Sequence, residues 1–113
     1  MSHITGDDRL KNDRILSMMG LAVRSGNLVG GEFSVDKAIK EKKARLVIVA
    51  CDASDNTKKG MSDACRFYKI PYMEYGDKES LGHFTGKDIR ASVAVTDEGF
   101  AKALLRSKEE IDG

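Results

Sequence analysis

A chain of 113 residues, 41% apolar and 33% charged, is one domain in size and has the composition of a folded globular protein, which excludes intrinsic disorder. No apolar run approaches the roughly 20 residues of a membrane span, and the opening "MSHITGDDRLKNDR" lacks the apolar centre of a secretion signal. Two cysteines, Cys51 and Cys65, do not make a disulfide scaffold, so a reducing cytoplasm is the expected setting. The formal net charge of +1 hides an asymmetry: residues 1–45 hold nine Lys/Arg against six Asp/Glu, and residues 46–113 hold ten against twelve. The basic first part permits an anionic partner without requiring one.

Residues 1–10 read as a loose, flexible N-terminal tail and 11–113 as one domain. From Asn12 to Arg24, Ile15, Met18, Met19, Ala22 and Val23 form an apolar stripe at helical spacing, ended by Ser25-Gly26 in the manner of a glycine cap. "NLVG" is a short strand candidate. A second helix is predicted from about Gly31 to Lys42, opening on the two glycines of "GGEFSVDKAIKEKKA". "RLVIVA" is a continuous apolar run dominated by β-branched residues, the pattern of a strand buried on both faces. "DASDN" supplies caps for a third helix bearing Met61, Ala64, Cys65 and Tyr68, which Pro71 stops. "IPYMEY" reads as a strand, Asp77 caps a short helix closed by Gly86, "ASVAVT" is a fourth strand, and Asp97 caps a last helix with Phe100, Ala101, Leu104 and Leu105 on one side. Alternating helices and strands predict an α/β fold, a single-domain three-layer α/β/α sandwich around a central four-stranded sheet.

Several stretches suggest chemistry. "GHFTGK" has too few residues between its glycines for a phosphate-binding loop, carries Asp88 where that motif needs Ser or Thr, and ends a helix instead of opening one. Cys51 lies at the end of a strand with Asp52 beside it and His83 elsewhere, so a thiol nucleophile with a base is conceivable. The plainer expectation is that both cysteines are structural, since a buried cysteine is usually a small hydrophobe. No cysteine or histidine spacing typical of a metal site occurs, and no cofactor is expected. Lys40, Lys42 and Lys43 fall in the last turn of the second helix, where cations complement its dipole at about 0.3–1 kcal/mol each. Gly30 and Gly31 at its other end leave free N–H groups and a positive dipole end, suited to a phosphate backbone or a base edge, or else form a plain tight turn.

The stretches "GLAVRSGNLVGGE", "KAIKEKKARLVIVACDAS", "NTKKGMSDACRFYKIPY", "ESLGHFTGK" and "VAVTDEGFAKAL" together resemble the ribosomal protein seven-Ae/thirty-e (kink-turn-binding) family, particularly its small bacterial YlxQ-like branch. The resemblance runs from about Ile15 to Leu105. It implies the α/β/α sandwich, no enzymatic activity, and binding of structured RNA, typically a kink-turn, a sharply bent internal loop with tandem sheared G·A pairs. The expected partner is therefore structured RNA, ribosomal or a kink-turn, with the ribosome itself a candidate; neither a membrane nor DNA is expected.

In that family the glycine-opened helix lies beside the G·A pairs, with the pattern Gly-x-Asn-Glu-x-x-Lys. Here it falls on Gly31 to Lys37. Gly31 and Lys37 match and Glu32 fills the unspecified position, while Phe33 and Ser34 stand where Asn and Glu would read the bases. Lys78 matches a family lysine near the RNA backbone. The loop "KDIRAS" occupies the place of an apolar loop that packs on a bulged nucleotide; Ile89 suits that use, and Asp88 and Arg90 make the loop more charged. Phe33 has two roles open to it, stacking on a splayed base or packing as a hydrophobic staple or core contact, and the packing role is the expectation. A protein–protein adaptor on the same fold, and a thiol-dependent enzyme, are the alternative functions.

Overall fold

A computed structural model describes residues 3–112, with side chains from residue 14 onward. Nine elements alternate along the chain: α1 (His3–Arg24), β1 (Leu28–Gly30), α2 (Glu32–Lys40), β2 (Leu46–Val49), α3 (Asp55–Tyr68), β3 (Tyr72–Glu74), α4 (Lys78–Phe84), β4 (Ser92–Val95) and α5 (Glu98–Asp112). The strands form one sheet in the order β1-β4-β2-β3. β4 runs antiparallel to both β1 and β2, and β2 runs parallel to β3. The predicted sandwich is therefore present, with a mixed sheet at its centre.

The two central strands are the most apolar stretches of the chain, and every residue of both is buried, as strands covered on both faces must be. One face carries α2 and α3, packed on each other; α1 pairs with α4 and α5 on the other. Val35 and Ile39 of α2 meet the sheet from one side, and Ile15, Met19 and Leu104 fill the other layer. The edge strands β1 and β3 have three residues each, too short to invite pairing with another chain. Among the described residues no helix is long and apolar enough to cross a membrane.

Local signals set most helix ends. Gly26 adopts φ 78°, and Asn27 N–H donates to the Ala22 carbonyl at 2.7 Å, closing α1 in a Schellman turn. Ser54 accepts from Thr57 N–H to cap α3. Asp77 and Ser80 form a reciprocal capping box on α4, and Asp97 accepts from Phe100 N–H at α5. The Ser80 N–H holds the Asp77 carboxyl below the usual carboxylate range. Its support of α4 is thus complete above that range and fades as pH falls through the lowered value.

Three boundaries differ from expectation. Helical backbone begins at His3, where the sequence suggests a loose tail to residue 10; residues 1 and 2 lie outside the described residues. No proline interrupts that stretch, so a helix nucleated by the stripe after Asn12 adds a hydrogen bond per residue backwards. At α2, Glu41 is the C-cap and Lys42 turns left-handed at φ 62°, so Lys42 and Lys43 lie beyond the last turn, whose cations are Lys37 and Lys40. The third helix ends before Pro71 through Lys69, a left-handed cap at φ 60°.

Two glycines make opposite predictions. A Cβ at Gly82 would stand 2.6 Å from the Asp88 carbonyl oxygen and 2.7 Å from Ile89 N, backbone atoms of the loop folded over α4. Gly82→Ala should therefore lower stability by about 1–3 kcal/mol. Gly60, inside α3, has nothing within 4 Å of a Cβ, so Gly60→Ala should raise stability by up to about 1 kcal/mol. Urea denaturation of the two variants checks both signs.

Candidate nucleic-acid interface

β1, β2 and β3 all end, and β4 begins, at one end of the sheet, the end where α/β proteins place ligands. Four loops meet there through backbone bonds. Gly31 N–H donates to the Ser92 carbonyl at 3.1 Å, Ala50 N–H to Ala91 at 2.8 Å, Cys51 N–H to Gly76 at 2.8 Å and Arg90 N–H to Lys78 at 3.0 Å. Asp52 accepts from Lys78 N–H at 2.8 Å, tying the β2–α3 turn to the start of α4. Residues 58 positions apart, from Gly31 to Ile89, are thereby brought to one surface.

α2 opens on Gly31, whose φ of 94° and ψ of 147° belong to a region that residues with a Cβ rarely enter, and no side chain caps the helix. The reason both preceding positions are glycine lies across the gap. A Cβ at Gly30 would come within 2.7 Å of Arg90 Nε, and one at Gly31 within 2.6 Å of Arg90 Nη1. The two glycines are the seat on which the Arg90 guanidinium rests. Arg90 Nε on this seat and Ser92 Oγ are the two buried side-chain polar atoms without a hydrogen-bond partner among the described residues. A buried donor left unsatisfied costs about 1–3 kcal/mol, and the protein holds the Arg90 Nε donor here with no acceptor among the described residues.

The other predicted residues lie on α2, α4 and the α4–β4 loop. Glu32 and Phe33 project from the first turn of α2, and Phe33 is 81% exposed. Ser34 is half-buried and Lys37 exposed one turn on. Lys37 and Lys78 make no ion pair among the described residues, whereas Lys40 and Lys43 at the far end of α2 are paired with Asp36 at 3.0 Å and Glu41 at 3.3 Å. Lys37 stands in the last turn of α2 beside the paired Lys40, and Lys78 opens α4 at the sheet end. Ile89 is 64% exposed in the α4–β4 loop, an apolar side chain set out in water beside two charged neighbours.

The packing role expected for Phe33 is wrong. It is the second residue of α2, whereas the buried face is Val35, Ala38 and Ile39, so its ring points away from the core, and a staple would need the position before the cap. The buried, structural reading of Cys51 is wrong as well. β2 ends at Val49, and a turn closed by Ala53 N–H to Ala50 at 3.0 Å lifts Cys51 to the surface. Cys65 is buried, and burial pushes its thiol up to about 11. Asp52 is engaged by the Lys78 amide and His83 is exposed on α4 against the Phe84 ring, so neither is arranged as a base for a thiol. Among the described residues no group of three or more His, Cys, Asp or Glu side chains is placed to hold a metal ion.

An α/β/α sandwich whose one sheet end gathers a glycine-opened helix and an arginine whose Nε has no acceptor among the described residues is a domain of the ribosomal-protein type. Residues 13–105 match the ribosomal protein L7Ae/L30e/S12e/Gadd45 family, and the chain belongs to that family. The RNA-binding protein YlxQ of Bacillus subtilis (strain 168) is 44% identical over 88 residues, 78% of this chain and 88% of that protein. The RNA-binding protein YlxQ of Enterococcus faecium is 37% identical over 100 residues, 88% of this chain and 93% of that protein. The solved structure of a protein with unknown function from Bacillus halodurans C matches with a TM-score of 0.81 at 38% identity, covering 84% of this chain and 96% of that one. These family and protein names describe RNA-binding and ribosomal proteins, not enzymes.

Exposure decides two expected outcomes. A mild alkylating agent should modify Cys51 and spare Cys65 on mass spectrometry, a difference that follows from burial and does not signal catalysis. Phe33→Asn and Cys51→Ala should each change unfolding free energy by no more than about 0.5 kcal/mol.

Proposed function

We propose that this chain is a non-catalytic, cytoplasmic RNA-binding protein that docks structured RNA of the kink-turn type, ribosomal or other, against the sheet end where α2 opens. The observation that carries the proposal is the Arg90 guanidinium lying on Gly30 and Gly31, its Nε without an acceptor among the described residues. Lys37 and Lys78 add cations unpaired among the described residues. The names of the two YlxQ relatives point the same way.

Each group has a physical task in such a complex. The open N-terminus of α2 offers amide donors and a positive dipole end, and glycine lets a backbone approach closely. Lys37 and Lys78 meet phosphates, which position the RNA without reading it. Phe33 offers a π-face and Ile89 an apolar contact for unstacked bases.

The side chains that read G·A pairs in the family pattern are replaced by Phe33 and Ser34, and each lost base contact costs about 1–3 kcal/mol. Arg90, next to these positions in space, presents a fork that pairs two-pronged with a guanine edge or a phosphate, a contact of the same size. Kink-turn recognition is thereby kept with a different reading residue.

Gel-shift titrations of a kink-turn RNA and a straight duplex of equal length, repeated across salt, test the proposal. The kink-turn should bind more tightly, and both affinities should fall between about 50 and 200 mM salt because phosphate contacts release counterions. Lys37→Ala and Lys78→Ala should weaken both RNAs by similar factors and each reduce the salt slope by about one. Binding indifferent to salt, or equal for the two RNAs, contradicts the proposal; salt-independent capture of a protein partner would favour the adaptor.

A further inference from the structure

Beside the proposed interface, a groove runs between the N-terminal halves of α2 and α3. α2 lines it with Glu32, Phe33 and Asp36, and α3 with Asn56, Thr57, Gly60 and Met61. None of these residues belongs to the α4–β4 loop, which the family resemblance assigns to a bulged nucleotide.

Three features of the groove converge on one kind of occupant. First, Phe33 is 81% exposed, and an aromatic ring in water beside an open slot is a stacking platform. Second, Gly60 interrupts α3 at a position where glycine costs about 1 kcal/mol relative to alanine. No close packing calls for it, since a Cβ there would meet nothing within 4 Å. Its effect is to leave the α3 side clear for a flat group. Third, the α2 side is acidic: Asp36 is paired with Lys40 at 3.0 Å, and Glu32 makes no ion pair among the described residues. Carboxylates repel a phosphate but accept from an exocyclic amino group, and the Asn56 amide pairs with the edge of an amino-bearing base.

We infer that this groove takes one unpaired nucleobase bearing an amino group, stacked on Phe33 with its edge toward Glu32 and Asn56. The inference rests on the RNA-binding function proposed above and adds a second, base-selective contact to it. The phosphates of that nucleotide lie toward Lys37 and the opening of α2, away from the carboxylates.

A double-mutant cycle between protein and RNA provides the test. The kink-turn RNA is prepared with each unpaired nucleotide in turn made abasic, and each RNA is titrated with wild type, Gly60→Leu and Phe33→Ala. One abasic position should weaken binding to wild type roughly tenfold. Each protein variant should lose a similar factor on the intact RNA, and the abasic change at that position should then cost it nothing further, because the contact is already gone. Replacing that base with uracil should cost part of that factor, because uracil keeps its stacking face and lacks the amino group.

Gly60→Leu fills open space with a good helix former. Phe33→Ala truncates an exposed ring, so a folded control survives even if one variant fails to fold. If wild type binds the RNA but the protein and abasic effects add independently at every position, the groove holds no base and the inference is overturned while RNA binding stands. If wild type binds no RNA, both fall together.

Discussion

The contact between the Arg90 guanidinium and the Gly30–Gly31 pair is the constraint on which the candidate interface depends. A Cβ at either glycine would overlap the guanidinium, so this one packing requirement explains a feature that helix propensity cannot, the opening of α2 on two poor helix formers. It also fixes the α4–β4 loop over α2, since Arg90 N–H is bonded to the Lys78 carbonyl while its side chain spans to β1 and α2. Three separate pieces of chain are thereby held in one arrangement, with a cation at their junction.

The fold makes that junction possible. With β4 antiparallel to its neighbours, the amino end of β4 meets the carboxyl ends of the other strands, and the loop before β4 falls beside the start of α2. Buried strands on both sides of the junction make it rigid, and the Gly82 clearance lets the loop backbone lie against α4. The charge distribution follows the same axis. At the far end of α2 the lysines are spent on Asp36 and Glu41, pairs exposed enough to contribute only about 0–1 kcal/mol. Near the glycines, Arg90 Nε has no acceptor among the described residues. An anionic ligand gains most where protein charges are not already neutralised.

Much of this was legible in the sequence because the signals are local. The apolar runs "LVIV" and "SVAV", the caps Ser54, Asp77 and Asp97, and the glycine stops at Gly26 and Gly86 act within a few residues of themselves, and each appears where it was expected. Of the residues the family pattern assigns, Gly31, Lys78 and Arg90 share backbone bonds or contacts at one end of the sheet, while Lys37 stands in the last turn of α2. What was not legible depends on distance or on facing. Nothing near Gly30 announces that its partner is Arg90, about 60 positions on, and only the tertiary fold brings them together. Phe33 and Cys51 were misread because apolar character was taken as burial: one lies two residues from the buried face of its helix, the other just past the end of its strand. The extended α1 reflects helix propagation without an apolar stripe to mark it.

The most direct measurement is a comparison of Gly30→Ala with wild type for unfolding free energy and for affinity to a kink-turn RNA. The substitution introduces one methyl group whose three nearest neighbours are atoms of the flexible Arg90 side chain, at a residue for which no left-handed backbone is required. If the guanidinium on its glycine seat is the centre of the interface, stability should change by less than about 1 kcal/mol, while RNA affinity falls roughly tenfold or more because Arg90 is displaced from its reading position. Unchanged affinity in a folded Gly30→Ala protein would contradict it, and would place the RNA, if bound, away from Arg90.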